Sequence, residues 1–293
     1  MSRKIYLPVL GVWEDIDDVT LLNGVPRVSS DGILINPATG LPTTAEQPAI
    51  SGAYLAAILG DSGAGLPVDV SGAGNHATFG ATLTRSLAWR TPGAMSSTHT
   101  SDSGGAILLP PAVAALDFAA GESWLMMLEL NPESGLVASI LGNWPTAGIP
   151  GIRVTMTGGV AFRPGLSDGA HNVSVATNKV LVSANAWNQV CIAIDGVTKQ
   201  IHTFLAGQVA NVLDASAVTG STVNTTHYFA LGHAGKRISG TTNDPTASWL
   251  LGIRNLHILK FGAGLGLPGT LPKVIAQWAA TPSALLTVAD VGV

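Results

Sequence analysis

Short apolar segments separated by turn residues recur along the chain from about residue 66 onward. Residues 201–205 mix apolar and polar side chains, which predicts a strand with one buried face. Residues 124–128 are apolar throughout, which is typical of a strand in the middle of two packed sheets. Because no regular helices lie between the strands, the pattern predicts an all-β antiparallel sandwich. The predicted strands are 106–109, 124–130, 136–141, 151–156, 160–163, 172–176, 188–194, 200–206, 227–232 and 250–261.

Two segments have the pattern of a helix. Residues 271–280 place apolar side chains at about i, i+3 and i+4, which predicts an amphipathic helix that Pro282 ends. Residues 53–59 form a shorter apolar segment followed by Gly60, and this pattern predicts a second short helix. The sandwich is therefore expected to carry a short helix at its C-terminal end.

Residues 1–65 differ from the rest of the chain because their apolar segments are shorter. The turn dipeptides Asn23-Gly24 and Asp31-Gly32 separate short apolar pieces, which predicts a small hairpin or meander. These pieces are too short to bury a core of their own. We therefore expect residues 1–65 to form an extended N-terminal arm and connector that docks on a neighbour, and residues 66–293 to form the sandwich.

The chain carries little charge. Charged residues make up 11% of its 293 residues, against about 25% in ordinary soluble domains, and 14 basic against 18 acidic residues give a net charge of −4. No basic block of the kind that neutralises phosphates is present, so we expect no nucleic-acid partner. No apolar stretch approaches the roughly 18 residues that a membrane-spanning helix needs, so we expect no membrane insertion. The low charge fits either a surface covered by partners or a lectin-like surface rich in small residues.

The chain contains one cysteine, Cys191, inside the apolar stretch 189–194. A buried, unreactive thiol is expected there, and the fold is expected to need no disulfide. The charged start Ser2-Arg3-Lys4 and the apolar stretch after it, from Ile5 to Trp13, are similar to a secretory signal. Pro8 interrupts that stretch, however, and no small-residue cleavage site follows. We therefore expect a protein that is made in the cytosol.

Four motifs follow one another along residues 66–282. In the most specific one, Trp187 and Val190 open a strand, Asp195-Gly196 forms a turn, and Gly207 closes a second strand. The others are an Asp-x-Ser-Gly-x-Gly-Asn-His turn, an apolar strand that begins with phenylalanine, and a pair of late strands, in residues 68–78, 118–127 and 229–259. In this order and spacing the motifs resemble the laminin-G-like branch of the concanavalin A-like lectin and glucanase superfamily.

The resemblance implies both a fold and a field of function. It implies an antiparallel jelly-roll β-sandwich of the concanavalin A-like type, in a module that works outside cells in adhesion or glycan recognition. Four tryptophans match core positions of the family, namely Trp124, Trp187, Trp249 and Trp278. The remaining three lie in the arm or in loops and are candidates for glycan stacking or for an interface, namely Trp13, Trp89 and Trp144.

One departure from the family concerns metal binding. The family's penultimate strand usually carries an acidic residue where this chain has Arg254 and Asn255. A calcium site that uses this residue would lack it here, although Asp69 and Asn75 remain calcium candidates because calcium prefers oxygen ligands. Alternatively, Asp69 caps its own turn through an Asx-type hydrogen bond. We expect no other cofactor.

The carboxylates do not form the pattern of a glycosidase. Such enzymes place two carboxylates around the scissile bond, and on a strand this requires acidic residues two positions apart. The acidic cluster 14–18 lies in the arm, and Glu129 is expected at a strand end on the rim of the sandwich. No His-x-x-x-His pair of the kind that holds a metal ion is present. We therefore expect no catalytic residue.

These observations lead to a hypothesis with two alternatives. The hypothesis is a non-enzymatic structural or attachment component of a bacteriophage virion, such as a capsid decoration, tail or fibre protein. Its partners would be other virion proteins, copies of itself and a bacterial surface glycan, and it would be extracellular after lysis. The first alternative is a carbohydrate-binding adhesin that recognises bacterial surface polysaccharide, and the second is a glycan hydrolase.

Overall fold

A computed structural model of the chain describes residues 4–7, 12–15, 35–36, 41–42, 54–58, 69–79, 88–91, 94–98, 107–132, 138–157, 161–174, 180–231, 236–237, 250–269 and 271–283. The first strands are β1 (Lys4–Leu7), β2 (Val12–Asp15), β3 (Ile35–Asn36), β4 (Leu41–Pro42), β5 (Tyr54–Ile58), β6 (Thr78–Phe79), β7 (Ala88–Thr91), β8 (Ala94–Thr98), β9 (Ile107–Leu109) and β10 (Ser123–Pro132). The later strands are β11 (Ala138–Gly142), β12 (Pro150–Thr157), β13 (Ala161–Asp168), β14 (Asn172–Ser174), β15 (Val180–Leu181), β16 (Asn188–Asp195), β17 (Gln200–Leu205), β18 (Gln208–Asp214), β19 (His227–Leu231), β20 (Lys236–Arg237) and β21 (Leu250–Phe261). A 3-10 helix spans Pro111–Ala114, and helix α1 spans Leu271–Ala280.

Two large antiparallel sheets form the body of the fold. The eight-stranded sheet has the order β18-β17-β16-β10-β21-β8-β7, and β5 also pairs with β21. The nine-stranded sheet has the order β14-β13-β12-β11-β19-β9-β6, with β15 paired to β13 and β20 paired to β19. The main hydrophobic core contains side chains from both sheets. The prediction of an all-β antiparallel sandwich is therefore confirmed.

The main core lies between the two sheets. Trp124, Met126 and Leu128 on β10 point into it, and Phe229 on β19 meets them from the other sheet. The rings of Trp124 and Phe229 pack edge to face, with centroids 6.1 Å apart and planes at 71°. Burying a large apolar side chain contributes about 1.5–3 kcal/mol, so these alternate positions hold the layers together.

Strand β10 is apolar throughout because both of its faces are covered. Leu125 and Met127 point away from the main core and contact α1. The helix has the bounds that the sequence predicts, and it packs against the eight-stranded sheet through Leu271, Val274, Ile275 and Trp278. One covering layer of β10 is therefore the opposite sheet and the other is the helix. Within the described residues, no helix is both long and apolar enough to cross a membrane.

Cys191 lies in the cluster beneath α1 and is 1% exposed. Burial raises the pKa of its thiol well above the ordinary value. A protonated, inaccessible thiol is a poor nucleophile. The expectation of a buried, unreactive cysteine is confirmed.

The prediction of a helix over residues 53–59 is wrong. These residues contain strand β5, which pairs antiparallel with β21. Leu55 packs toward the main core and Tyr54 packs toward the cluster beneath α1. A strand can bury alternate side chains on two opposite faces in this way, and such tertiary pairing overrides local helix propensity in a short segment. Part of the segment assigned to the arm therefore belongs to the eight-stranded sheet.

Most of the arm lies outside the described residues. Within it, β1 pairs with β2 and β3 pairs with β4, each as a two-stranded antiparallel sheet. The hairpin or meander expected around Asn23-Gly24 and Asp31-Gly32 falls outside the described residues. The division of the chain at residue 65, and the docking of the arm, stay predictions.

The hairpin motif folds as its sequence indicates. Strands β16 and β17 are antiparallel neighbours joined by the turn 196–199, which the Asp195 carboxylate caps by accepting two backbone N–H bonds. Ala206 and Gly207 take left-handed φ values of +48° and +80° and lead into β18. Sequence patterning did not predict β18, which extends the sheet by one strand beyond the motif.

Candidate functional site

The tryptophans proposed for glycan stacking occupy different places. Trp13 lies in β2 and Trp89 in β7, and the side chains of both fall outside the described residues. Trp144 follows β11 and is 3% exposed, and the guanidinium carbon of Arg153 lies 4.2 Å from its ring centroid. A ring enclosed in this way has no free face for a sugar. The structure therefore does not support Trp144 as a stacking residue for a sugar. The ring of Trp144 instead packs against the guanidinium of Arg153.

The tryptophans expected in the core are placed as follows. Trp124 and Trp278 are buried, at 0% and 1% exposed, which confirms the expectation for these two. Trp187 is half-buried, and the guanidinium carbon of Arg254 lies 4.1 Å from its ring centroid. Trp249 falls outside the described residues.

The turn at Asp69 is closed by hydrogen bonds from the protein itself. Its Oδ1 accepts bonds from the backbone N–H groups of Ala57 and Ser71, at 2.8 and 2.9 Å, and from Ser71 Oγ at 2.6 Å. Its Oδ2 accepts the N–H of Asn75 at 2.9 Å, while the Asn75 side chain donates to the Leu55 carbonyl. The Asx-type cap is confirmed, and calcium would have to displace these bonds. Among the described residues, no group of three or more His, Cys, Asp or Glu side chains is arranged to hold a metal ion.

Asp69→Asn is expected to lower the free energy of unfolding near neutral pH by about 1–3 kcal/mol, because the new amide nitrogen cannot accept the N–H of Asn75. Burial alone would raise the pKa of Asp69, but the bonds from Ser71, Ala57 and Asn75 together hold this pKa below its ordinary value. The ionised carboxylate therefore stabilises the fold above the unfolded pKa of about 3.9, and this contribution is lost as the pH falls below that value. Urea unfolding at several pH values measures the effect. The difference in the free energy of unfolding between wild type and Asp69→Asn should become smaller in acid. A difference that does not change with pH would contradict the role of the ionised Asp69 carboxylate as the cap of this turn.

Glu129 lies in a buried ion pair and not at the rim, so that expectation is wrong. Its side chain is 8% exposed, and its Oε2 accepts bonds from Arg254 Nε at 2.7 Å and from Asn255 Nδ2 at 2.6 Å. The pairing of β10 with β21 shifts register between Met127 and Glu129, and Asn255 adopts a φ of +51°. This bulge brings both donors to one carboxylate. No local sequence pattern predicts the bulge.

The buried carboxylates of the described residues serve the fold. Asp69, Glu129 and Asp195 each accept hydrogen bonds from protein donors. Glu122, which is more exposed, pairs with Lys260 at 2.7 Å and accepts the N–H of Asp117. A glycosidase acid instead keeps its proton available beside a second carboxylate. These contacts assign the four carboxylates to turns and ion pairs.

The outer face of the nine-stranded sheet presents a different set of groups. Alternate side chains of β12 and β13 point into the main core, and they are Ile152, Val154, Met156, Phe162 and Leu166. The residues between them point outward, because successive side chains of a strand face opposite sides. We call the central part of this outer surface the arginine face, and it consists of Arg153, Thr155, Arg163 and Gly165.

Strand register places the two arginines side by side. Thr155 lies opposite Arg163, and Arg153 lies opposite Gly165. Arg153 and Arg163 are thus diagonal neighbours, whose Cα atoms lie about 7–8 Å apart in an antiparallel pair. The missing side chain at Gly165 leaves room for the ring of Trp144, whose Cζ3 lies 3.2 Å from the position a Cβ would take. The arginine face is therefore built over an indole that lies against β13.

Two asparagines hold the segment that carries Trp144. The backbone N–H of Asn143 donates to the Ile152 carbonyl at 2.9 Å, and the Ile152 N–H donates to Asn143 Oδ1 at 2.8 Å. The side-chain amide of Asn224 donates to the carbonyls of Asn143 and Pro150, at 2.5 and 2.9 Å. This network fixes the backbone next to Trp144, and with it the surface on which Arg153 rests.

Within the described residues, the positive charge of the arginine face has no counterion. Both arginines are half-buried, and within the described residues neither forms an ion pair with a carboxylate. The Nε of Arg163 is buried with no hydrogen-bond partner in that part of the chain. Burial lowers the pKa of Arg153, yet a guanidinium stays protonated at neutral pH. Since a partly desolvated charge is costly without an acceptor, this surface is suited to an anionic or strongly hydrogen-bonding ligand.

The architecture is that of an antiparallel β-sandwich, and several solved binding domains of bacterial toxins are similar to it. No protein-family model and no curated protein matches the sequence. The binding domain of botulinum neurotoxin DC, solved in complex with rat synaptotagmin II, has a TM-score of 0.54 at 13% identity over 80% of this chain and 52% of that one. The binding domain of Paraclostridial Mosquitocidal Protein 1 has a TM-score of 0.53 at 9% identity over 78% of this chain and 52% of that one.

A third similar structure concerns the cell entry of botulinum neurotoxin type C, which depends upon interaction with two ganglioside molecules. Its TM-score is 0.52 at 11% identity, over 80% of this chain and 52% of that one. The chain thus spans about half the length of each of these structures. At these identities the likeness shows the fold, and membership of the laminin-G-like branch stays a prediction.

Proposed function

We propose that the chain is a non-catalytic carbohydrate-binding module and that the arginine face is its binding surface. The observation that carries this proposal is the pair of half-buried guanidinium groups on a fixed sheet surface, with Thr155 between them and no carboxylate partner among the described residues. Binding sites of this kind use a few well-placed polar groups to orient a ligand. The shared fold supports the proposal, because the similar structures are binding domains and one of the toxins interacts with gangliosides.

The chemistry of the arginine face suits saccharides. The guanidinium N–H groups offer donors to sugar oxygens, and the Thr155 hydroxyl, which donates to the Arg163 carbonyl at 3.5 Å, can accept a bond from a sugar hydroxyl. The strands and the asparagine network hold these groups in place, so little side-chain freedom is lost when a ligand binds. This proposal corresponds to the carbohydrate-binding alternative drawn from the sequence.

The hypothesis of a bacteriophage virion component stays a prediction beside this proposal. An adhesin on a virion would combine the virion hypothesis with glycan binding. Residues 1–65 would dock on the particle, and the sandwich would bind glycans on the host surface. Mass spectrometry of purified particles would have to detect the protein at a stoichiometric level. A protein absent from such particles would contradict the virion hypothesis and leave glycan binding intact.

Thr155→Tyr is expected to weaken glycan binding by about tenfold or more, because the added ring would cover the surface between the two arginines. The full chain would be screened on an array of bacterial polysaccharides and its affinities measured by biolayer interferometry. Ala276→Tyr is the matched control, since Ala276 is exposed on α1, on the other side of the sandwich.

Equal binding by the two tyrosine variants would show that the arginine face is not the binding surface. The same samples would be assayed for new reducing ends during long incubations. Release of reducing ends in proportion to the amount of protein would overturn the non-catalytic part of the proposal.

A further inference from the structure

We infer that the arginine face selects acidic saccharides, in which the sugar rings carry carboxylate groups. The inference rests on the proposed function, because it names the class of ligand for the same surface. Two like charges stand as cross-strand neighbours, half-buried, and within the described residues no carboxylate neutralises either of them. A ligand that brings its own negative charge relieves this repulsion, whereas a neutral sugar does not.

The position of each arginine favours a carboxylate. The guanidinium carbon of Arg153 lies 4.2 Å from the ring centroid of Trp144, so the indole restricts the movement of this guanidinium. Arg163 is half-buried, and no carboxylate of the described residues forms an ion pair with it. A guanidinium presents planar, parallel donors that match the two oxygens of a carboxylate, and such charged pairs are about twice as strong as neutral hydrogen bonds.

The position of Thr155 favours a carboxylate that is attached to a sugar ring. It lies directly opposite Arg163 and two residues from Arg153 on the same face. A ring carboxylate bound by one arginine brings the neighbouring ring hydroxyls toward this side chain, whose oxygen can accept from them while it donates to the Arg163 carbonyl. The charge of the whole chain is −4, so a positive patch on its surface also sets the direction from which an anionic polymer approaches.

The test compares Arg153→Gln and Arg163→Gln with wild type in the full chain. Lys273→Gln is the matched control, because it removes one positive charge from the exposed side of α1. The probes are polygalacturonate, alginate and hyaluronate, each before and after reduction of the carboxyl groups to alcohols, together with neutral dextran, teichoic acid and the array of bacterial polysaccharides. Circular dichroism confirms that the variants are folded.

Either arginine variant is expected to bind the acidic polymers about tenfold or more weakly than wild type, with Lys273→Gln unchanged. Carboxyl reduction should abolish binding, and added salt should weaken it. Equal binding of reduced and unreduced polymers, binding of neutral polysaccharides alone, or a preference for teichoic acid would overturn the inference and leave the proposed function standing. Wild-type affinity in both arginine variants would overturn the inference together with the proposed binding surface. If no polysaccharide of any kind binds, the proposed function itself fails.

Discussion

Arg254→Ala is expected to lower the free energy of unfolding by about 3 kcal/mol. The substitution leaves the carboxylate of Glu129, which is 8% exposed, without its cation, although Asn255 still donates to it. A buried charge that loses its partner keeps the cost of having left water, which is usually about 3–5 kcal/mol. The lower end of that range applies because the Arg254 side chain is 30% exposed. Water can therefore enter part of the space it leaves and hydrate the Glu129 carboxylate. Urea unfolding near neutral pH measures the change.

Glu129→Gln in the Arg254→Ala background is the control for this prediction. Glutamine is neutral, so it needs no cation, and its carbonyl oxygen still accepts the bond from Asn255. The double variant should therefore be more stable than Arg254→Ala alone. A double variant of equal or lower stability would show that the unpaired charge is not the cause of the loss, and the coupling between the two sites can be read from the full cycle.

Trp124→Ala is expected to lower the free energy of unfolding by about 4 kcal/mol, because removal of a large core ring costs its transfer energy and leaves a cavity. Trp124 is fully buried between the two sheets and packs edge to face on Phe229. The two residues come from β10 and β19, so the cavity would open between the layers of the sandwich. Denaturant unfolding measures the effect as a lower midpoint with an unchanged slope.

Trp124→Phe separates the loss of the ring from the loss of the indole nitrogen. The Nε1 of Trp124 is buried without a hydrogen-bond partner in the described part of the chain, so removing it sacrifices no bond. The phenylalanine variant should keep most of the stability that the alanine variant loses. A cycle with Phe229→Ala should show a coupling of about 0.5–1.5 kcal/mol for the aromatic pair. A loss below about 1 kcal/mol for Trp124→Ala would contradict its place between the sheets.

The elements that local patterning predicts are the ones whose burial follows from their own sequence. Alternation with a period of two marks β12, and the repeat near 3.6 marks α1 with the bounds that the structure has. The Asx-type turn at Asp69 is equally local, because the cap and its first donor are two residues apart. Such features need no knowledge of which strands pair.

The features that patterning missed depend on distant partners. Residues 54–58 become β5 because β21, some two hundred positions later, offers an edge to pair with. Glu129 is buried because a bulge in the same strand supplies Arg254 and Asn255. Trp144 is enclosed because Arg153 crosses over its ring. A single sequence shows none of these pairings. The predicted rim position of Glu129 and the predicted stacking role of Trp144 could therefore not be corrected from the sequence alone.

The arginine face was missed for a related reason. Arg153 and Arg163 are ten positions apart and belong to no motif, and only the register of β12 against β13 makes them neighbours. A partial signal does exist in the sequence. Arg153, Thr155 and Thr157 alternate with apolar residues, which indicates a polar outer face on that strand. The second arginine enters only through the pairing.

The inaccessible thiol of Cys191 has a practical consequence for experiments on this protein. Maleimide and other thiol reagents require a reachable thiolate, and this side chain offers neither exposure nor ionisation at neutral pH. A cysteine introduced at an exposed position, for example by Ala276→Cys on α1, would therefore be the one group that takes a fluorophore. Site-specific labelling can thus begin from the native background, without first replacing a residue of the fold.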